Sequence, residues 1–99
     1  MNCNLELVEK QLKKDYPYIT KVRSIVESSP SSDMPFNHYQ MDILIKESFF
    51  YQLENNGPLR NITITSFTNE CSQLLKTICP EDNITRDNLL VSFIAEHQD

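Results

Sequence analysis

Apolar residues recur along this chain at intervals of three and four, the spacing that places them on one face of an α-helix. Five segments follow this pattern, and they are residues 5–14, 15–27, 38–54, 64–79 and the segment after residue 85. The pattern therefore predicts an all-α fold, a single domain of about five short amphipathic helices.

Start and stop signals lie at the ends of these segments. Asn4 can cap the first helix, and Thr63 and Thr85 each follow an isoleucine that can pack against the next turn. Gly57, which precedes a proline, is typical of a helix end, and Pro80 ends the fourth segment. These residues indicate helix boundaries independently of the apolar spacing.

Serine and proline dominate one stretch of the chain, residues 28–36, and this composition is typical of a flexible linker. The 99 residues suffice for one domain and not for two. We therefore expect a single helical domain over residues 1–99, with a flexible linker at 28–36.

A second interpretation assigns strands to two of the same regions. Residues 39–45 and 61–66 alternate between apolar and polar positions and contain several β-branched side chains. This alternative predicts an α+β fold with a small sheet built from these two stretches.

Charge is distributed unevenly along the chain, which has a net charge of −5. Residues 1–23 carry five Lys or Arg against three Asp or Glu, whereas residues 24–99 carry four against eleven. The excess of negative charge over residues 24–99 opposes direct binding to nucleic-acid phosphates. It favours instead a protein partner with a basic surface.

No catalytic or metal-binding motif is present, so we expect no enzyme activity, no metal and no cofactor. His38 and His97 stand far apart and fit surface positions. Cys3, Cys71 and Cys79 form no CxxC pair, so the pattern predicts neither a disulfide framework nor a zinc site. Cys71 falls on an apolar stripe and is expected in the core, while Cys79 leaves open a thiol-dependent enzyme or redox switch.

Apolar runs in this chain are short. None approaches the ~20 residues that a membrane span requires, and the first residues do not resemble a signal peptide. The expected location is therefore the cytoplasm or the nucleus, with no membrane contact.

The third predicted helix carries more large apolar residues than one face can hold. Ile43, Phe50 and Tyr51 lie off its main stripe. A helix that is apolar on several sides is either buried all round or presents a surface to a partner. We therefore expect these residues to anchor another protein, which makes the chain a small acidic adaptor subunit of a larger complex.

Carboxylates gather near the start of the last segment, at Glu81, Asp82 and Asp87. Acidic residues at this position suit the helix dipole and can also contact a basic partner. They support an alternative function, that of a small acidic inhibitor (an immunity protein or viral antagonist) that blocks a basic surface.

The region between residues 57 and 90 also carries a family resemblance. The residues that carry it are Gly57, Ile62-Thr63-Ile64, Phe67, Glu70, Pro80 and Leu89-Leu90. In this pattern the chain resembles the enhancer-of-yellow family of small transcription and mRNA-export factors. The resemblance implies an all-helical interaction module that wraps a long partner helix within a chromatin-modifying or export complex.

Overall fold

The computed structural model describes residues 3–97, and both helices and strands are present in this range. The elements in chain order are α1 (Leu5–Asp15), β1 (Ile19–Ser28), β2 (His38–Lys46), α2 (Glu47–Asn55), α3 (Gly57–Ile78), a short 3-10 turn (Pro80–Asp82) and β3 (Leu89–Glu96). The fold is therefore α+β, and the prediction of an all-α domain with five helices is wrong.

The three strands form one sheet with β2 at its centre. β2 runs antiparallel to β1 and parallel to β3, so α2 and α3 form the crossover that a parallel connection requires. Every second residue of β2 is buried, namely Tyr39, Met41, Ile43 and Ile45, and the residues between them are half-buried or exposed. One face of the sheet thus packs on the helices, and the other face is open.

A single core lies between the sheet and the helices. Its buried residues are Val8, Leu12, Ile19, Val22, Tyr39, Met41, Ile43, Ile45, Leu53, Phe67, Cys71, Leu75, Cys79, Ile84, Leu89 and Phe93. Aromatic rings connect the layers, since Phe67 on α3 lies 5.1 Å from the ring of Tyr16 and 5.3 Å from that of Phe93 on β3. Within residues 3–97, no helix combines the length and the apolar character needed to cross a bilayer.

Most of the predicted second helix, over residues 15–27, forms strand β1. Its register against β2 shifts twice, between Ile19 and Lys21 and between Val22 and Ser24. Because of the first shift, the buried residues Ile19 and Val22 are three apart, a spacing that normally indicates a helix. Their β-branched side chains fit an extended backbone better than a helical one.

The predicted third helix is divided between two elements. Residues 38–46 form β2 and residues 47–55 form α2. The alternative strand at 39–45 is therefore confirmed, whereas the alternative strand at 61–66 is wrong because those residues lie inside α3. The segment predicted as a linker, 28–36, coincides with the connection between two hydrogen-bonded strands, and Ser31 N–H donates to the Met34 carbonyl at 2.7 Å within it.

Local capping signals identify α1 and the end of α3. The Asn4 side chain accepts from Leu7 N–H at 3.1 Å, as predicted, and Cys79 caps α3 immediately before Pro80. The start of α3 differs from its prediction, since Asn56 caps it and accepts from Leu59 N–H at 3.1 Å. The proline after Gly57 begins a helix because proline suits a first turn.

The predicted last helix is replaced by a turn and by strand β3. Thr85, expected as a helix cap, has its N–H bonded to the Asn88 side chain at 2.8 Å. Its hydroxyl accepts from Asp87 N–H at 3.3 Å. These bonds close a local turn, after which residues 89–96 pair with β2 instead of continuing as a helix.

Candidate functional site

The two histidines are separated, and each has one polar contact among residues 3–97. His38 Nδ1 lies 3.2 Å from the Phe36 carbonyl, and His97 Nδ1 lies 3.4 Å from a carboxylate oxygen of Glu47. In the part of the chain that the structure describes, no three His, Cys, Asp or Glu side chains form a potential metal site.

Cys79 is bonded to Cys3 in a disulfide whose Cα atoms are 5.2 Å apart. The expectation that the cysteines form no disulfide is therefore wrong, and Cys79 has no free thiol in this structure. The spacing of 76 residues gave no local signal for this pair. Cys71, predicted in the core, is fully buried, and burial raises the pKa of its thiol well above the ordinary value. A thiol of this kind stays protonated and unreactive.

The three predicted carboxylates lie in the connection between α3 and β3. Glu81 and Asp87 are exposed and Asp82 is half-buried. The Asp82 main-chain carbonyl accepts a hydrogen bond from the Tyr39 hydroxyl, which ties this connection to the start of β2. Asp87 lies 3.9 Å from Arg86 Nε in an exposed pair that holds neither side chain firmly.

A fourth carboxylate, which the sequence analysis missed, reaches the same place from β1. Glu27 lies opposite Tyr39 in the β1–β2 register. The neighbouring Glu27 carboxylate, together with burial and the charge of Asp82, raises the pKa of Tyr39 to about 12. We call Glu27, Glu81, Asp82 and Asp87 the acidic end of the molecule. Only strand pairing brings Glu27 there, so no sequence signal could have identified it.

The three predicted apolar anchors lie in different environments. Ile43 is fully buried in β2, between Val22 and Phe93 of the neighbouring strands, so it is not available to a partner. Phe50 is half-buried and packs against the core. Tyr51 is 48% exposed, with its ring 6.0 Å from that of Phe50. Of the three, Tyr51 is therefore the most exposed.

Among residues 3–97, Ile62 on α3 is the most exposed large apolar residue, at 65%. It lines a shallow depression of about 290 Å³ with Asn61, Thr65 and Ser66. The sequence analysis assigned Ile62 to a packing contact at a helix start, whereas it lies on the solvent side of a continuous helix.

A second depression, of about 360 Å³, adjoins the first. Its lining residues are Ile64, Thr65, Thr68, Asn69, Arg86 and Asp87. Thr65 lines both depressions, so they lie next to each other, and we call the two together the α3 groove. The groove connects the exposed Ile62 with Asp87 of the acidic end.

No protein-family model matches this chain, and neither the curated proteins nor the solved structures contain a detectable match. The comparisons therefore neither support nor oppose the resemblance to the enhancer-of-yellow family. The all-helical fold that this resemblance implied is not the fold observed.

Proposed function

We propose that this chain is a non-enzymatic protein-binding domain, an acidic adaptor subunit of a larger complex, that docks a partner along the α3 groove. The observation that carries this proposal is that the depression beside Ile62, an apolar side chain exposed to solvent, lies next to the depression lined by Asp87 of the acidic end. Exposed apolar residues beside polar ones are typical of protein interfaces.

The composition of the groove defines the chemistry of the partner. Ile62 suits an apolar side chain, Thr65 and Asn69 offer hydrogen bonds, and the acidic end attracts Lys or Arg. An amphipathic helix with one basic end would meet these requirements along a surface of this kind. We propose no direct contact with nucleic acid or membranes.

One observation opposes the expectation from the sequence that the protein is located in the cytoplasm or the nucleus. Disulfides persist mainly in oxidising compartments. The Cys3–Cys79 bond therefore argues against both locations.

A second candidate function, inhibition of a basic protein surface, is favoured by Glu27. This residue extends the acidic end from the α3–β3 connection to β1, so the carboxylates come from two separate parts of the chain. In that function the contact would be mainly electrostatic, and raising the salt concentration would weaken it steeply.

Affinity capture with surface variants tests the first function and separates it from the second. For an adaptor, we expect Ile62→Asp to reduce recovery of the specific partner more than about tenfold, because an apolar anchor is lost. The matched control is Val26→Asp, since Val26 is 54% exposed on the sheet and outside the groove. Equal recovery of the partner with both variants would contradict docking along the α3 groove. If Glu27→Lys or Glu81→Lys reduces recovery of the partner and Ile62→Asp does not, the result would indicate the inhibitor function.

A further inference from the structure

The outer edge of β3 carries main-chain groups that bond nothing in the described part of the chain. Tyr39 N–H donates to the Asn88 carbonyl at 2.8 Å, and the β2–β3 register continues in step to Glu96. Main-chain groups alternate in direction along a strand, so those of Leu90, Ser92 and Ile94 face β2. The groups of Val91, Phe93 and Ala95 face away from it, and no hydrogen bond to them is found within residues 3–97.

Several features that normally protect a sheet edge from pairing are missing from β3. Its register against β2 has no irregularity, and residues 89–95 contain no charge and no proline. Leu90 is 41% exposed on the open face. A regular, uncharged edge strand is a template for pairing with another strand.

We propose that β3 pairs antiparallel with β3 of a second copy of this chain, about a two-fold axis at Ser92. This pairing would join the two sheets into one continuous sheet. The main-chain argument for this pairing rests on the β3 edge and does not depend on a partner in the α3 groove.

The side chains of β3 complement one another in this register. On the open face Leu90 would lie opposite Ile94 of the second copy, and on the helix face Val91 would lie opposite Phe93. Such apolar cross-strand pairs stabilise a sheet. Every main-chain group that faces outward at Val91 and Phe93 would also gain a partner.

Charges at the ends of the strand are compatible with the same register. Asp87 would lie opposite His97 of the second copy, which also contacts Glu47, and Glu96 would lie opposite Asn88, so no two carboxylates lie directly opposite each other. This self-complementarity is the reason for choosing a second copy as the occupant. A basic peptide is disfavoured because residues 88–95 offer it no carboxylate.

Sedimentation equilibrium of the whole chain tests the pairing. We expect the wild type to form a dimer and Val91→Pro to be monomeric, because proline removes an outward N–H without touching a β2–β3 hydrogen bond. The matched control, Val91→Ala, shortens the side chain, keeps the N–H and should still form a dimer. A wild type that stays monomeric up to millimolar concentration would overturn the proposal, as would a Val91→Pro protein that dimerises like the wild type. A monomer whose edge binds an extended peptide of another sequence would also overturn it.

Cysteine cross-linking gives a readout that does not depend on stability. Ser92 would lie in a non-hydrogen-bonded pair with its own copy, where Cα atoms are about 4.5 Å apart. Ser92→Cys should therefore form an intermolecular disulfide on mild oxidation. Leu90→Cys is the control, because its two copies would be separated by about 14 Å along the strands. Equal cross-linking of both variants, or cross-linking of neither, would contradict the register.

Discussion

The two outer strands of the sheet differ in whether their exposed edges are protected from pairing with another strand. β1 has two register irregularities, carries Lys21, Arg23 and Glu27, and receives a side-chain cap from α1. That cap is the Glu9 carboxylate, which accepts from Val22 N–H at 2.9 Å. β3 is regular and uncharged over residues 89–95. The irregular strand is the protected one, and the regular strand remains free to pair.

This difference shows that edge protection is a tertiary property of the chain. The cap on β1 requires α1 to lie beside it, and the Cys3–Cys79 disulfide attaches the start of α1 to the end of α3. No comparable contact to the outward main-chain groups of β3 is found in residues 3–97. Three changes test which contacts protect the β1 edge, and they are given from the largest expected effect to the smallest.

Removing the disulfide should have the largest effect. A crosslink between residues 76 apart restricts the unfolded chain, so Cys3→Ser should lower the free energy of unfolding by about 2–4 kcal/mol. Urea denaturation followed by circular dichroism measures this change. Reductant should destabilise the wild type to the same extent and leave Cys3→Ser unaffected, because Cys71 is not crosslinked. A reductant effect that persists in the variant would contradict the assignment of this disulfide.

Removing the cap on Val22 should have an intermediate effect. Glu9→Ala leaves the N–H of a buried residue without its acceptor, which costs about 1–3 kcal/mol. The same urea measurement quantifies the loss. Glu9→Gln is the control, since its amide oxygen can still accept the bond, and it should recover most of the stability. Wild-type stability in Glu9→Ala would show that the carboxylate does not protect this edge.

Breaking the exposed ion pair on the open face should have the smallest effect. Arg23 Nη2 lies 3.0 Å from a carboxylate oxygen of Asp42, and the Arg23 side chain is half exposed. Arg23→Ala should therefore cost less than about 1 kcal/mol, and the cost should shrink as salt is added. A double-mutant cycle with Asp42→Asn isolates the pair from other losses. A coupling energy larger than the stability lost in Glu9→Ala would reverse the proposed order.

Part of the candidate site could be predicted from the sequence, and part could not. Asp87 and Tyr51 are exposed, as a binding residue must be, whereas Ile43 is in the core. Ile43 seemed to lie off a helical stripe because residues 38–46 were interpreted with the wrong period. Once the segment is a strand, Ile43 shares the buried face with Met41 and Ile45. The candidate anchor Ile62 was missed because exposure depends on how α3 packs.

What the sequence determined by itself is local. Asn4 caps α1, Pro80 follows the end of α3, and Cys71 follows the apolar period of a helix, each through contacts or spacing within a few residues. Tertiary structure alone decided that residues 19–28 and 89–96 are strands, and it brought Glu27 to Tyr39 and Cys3 to Cys79. Strands are stabilised by hydrogen bonds to a partner strand that is distant in sequence, whereas a helix satisfies its main chain within four residues. Apolar spacing alone therefore predicted helices where α1 and α3 form, but it also predicted helices where strands β1 and β3 form.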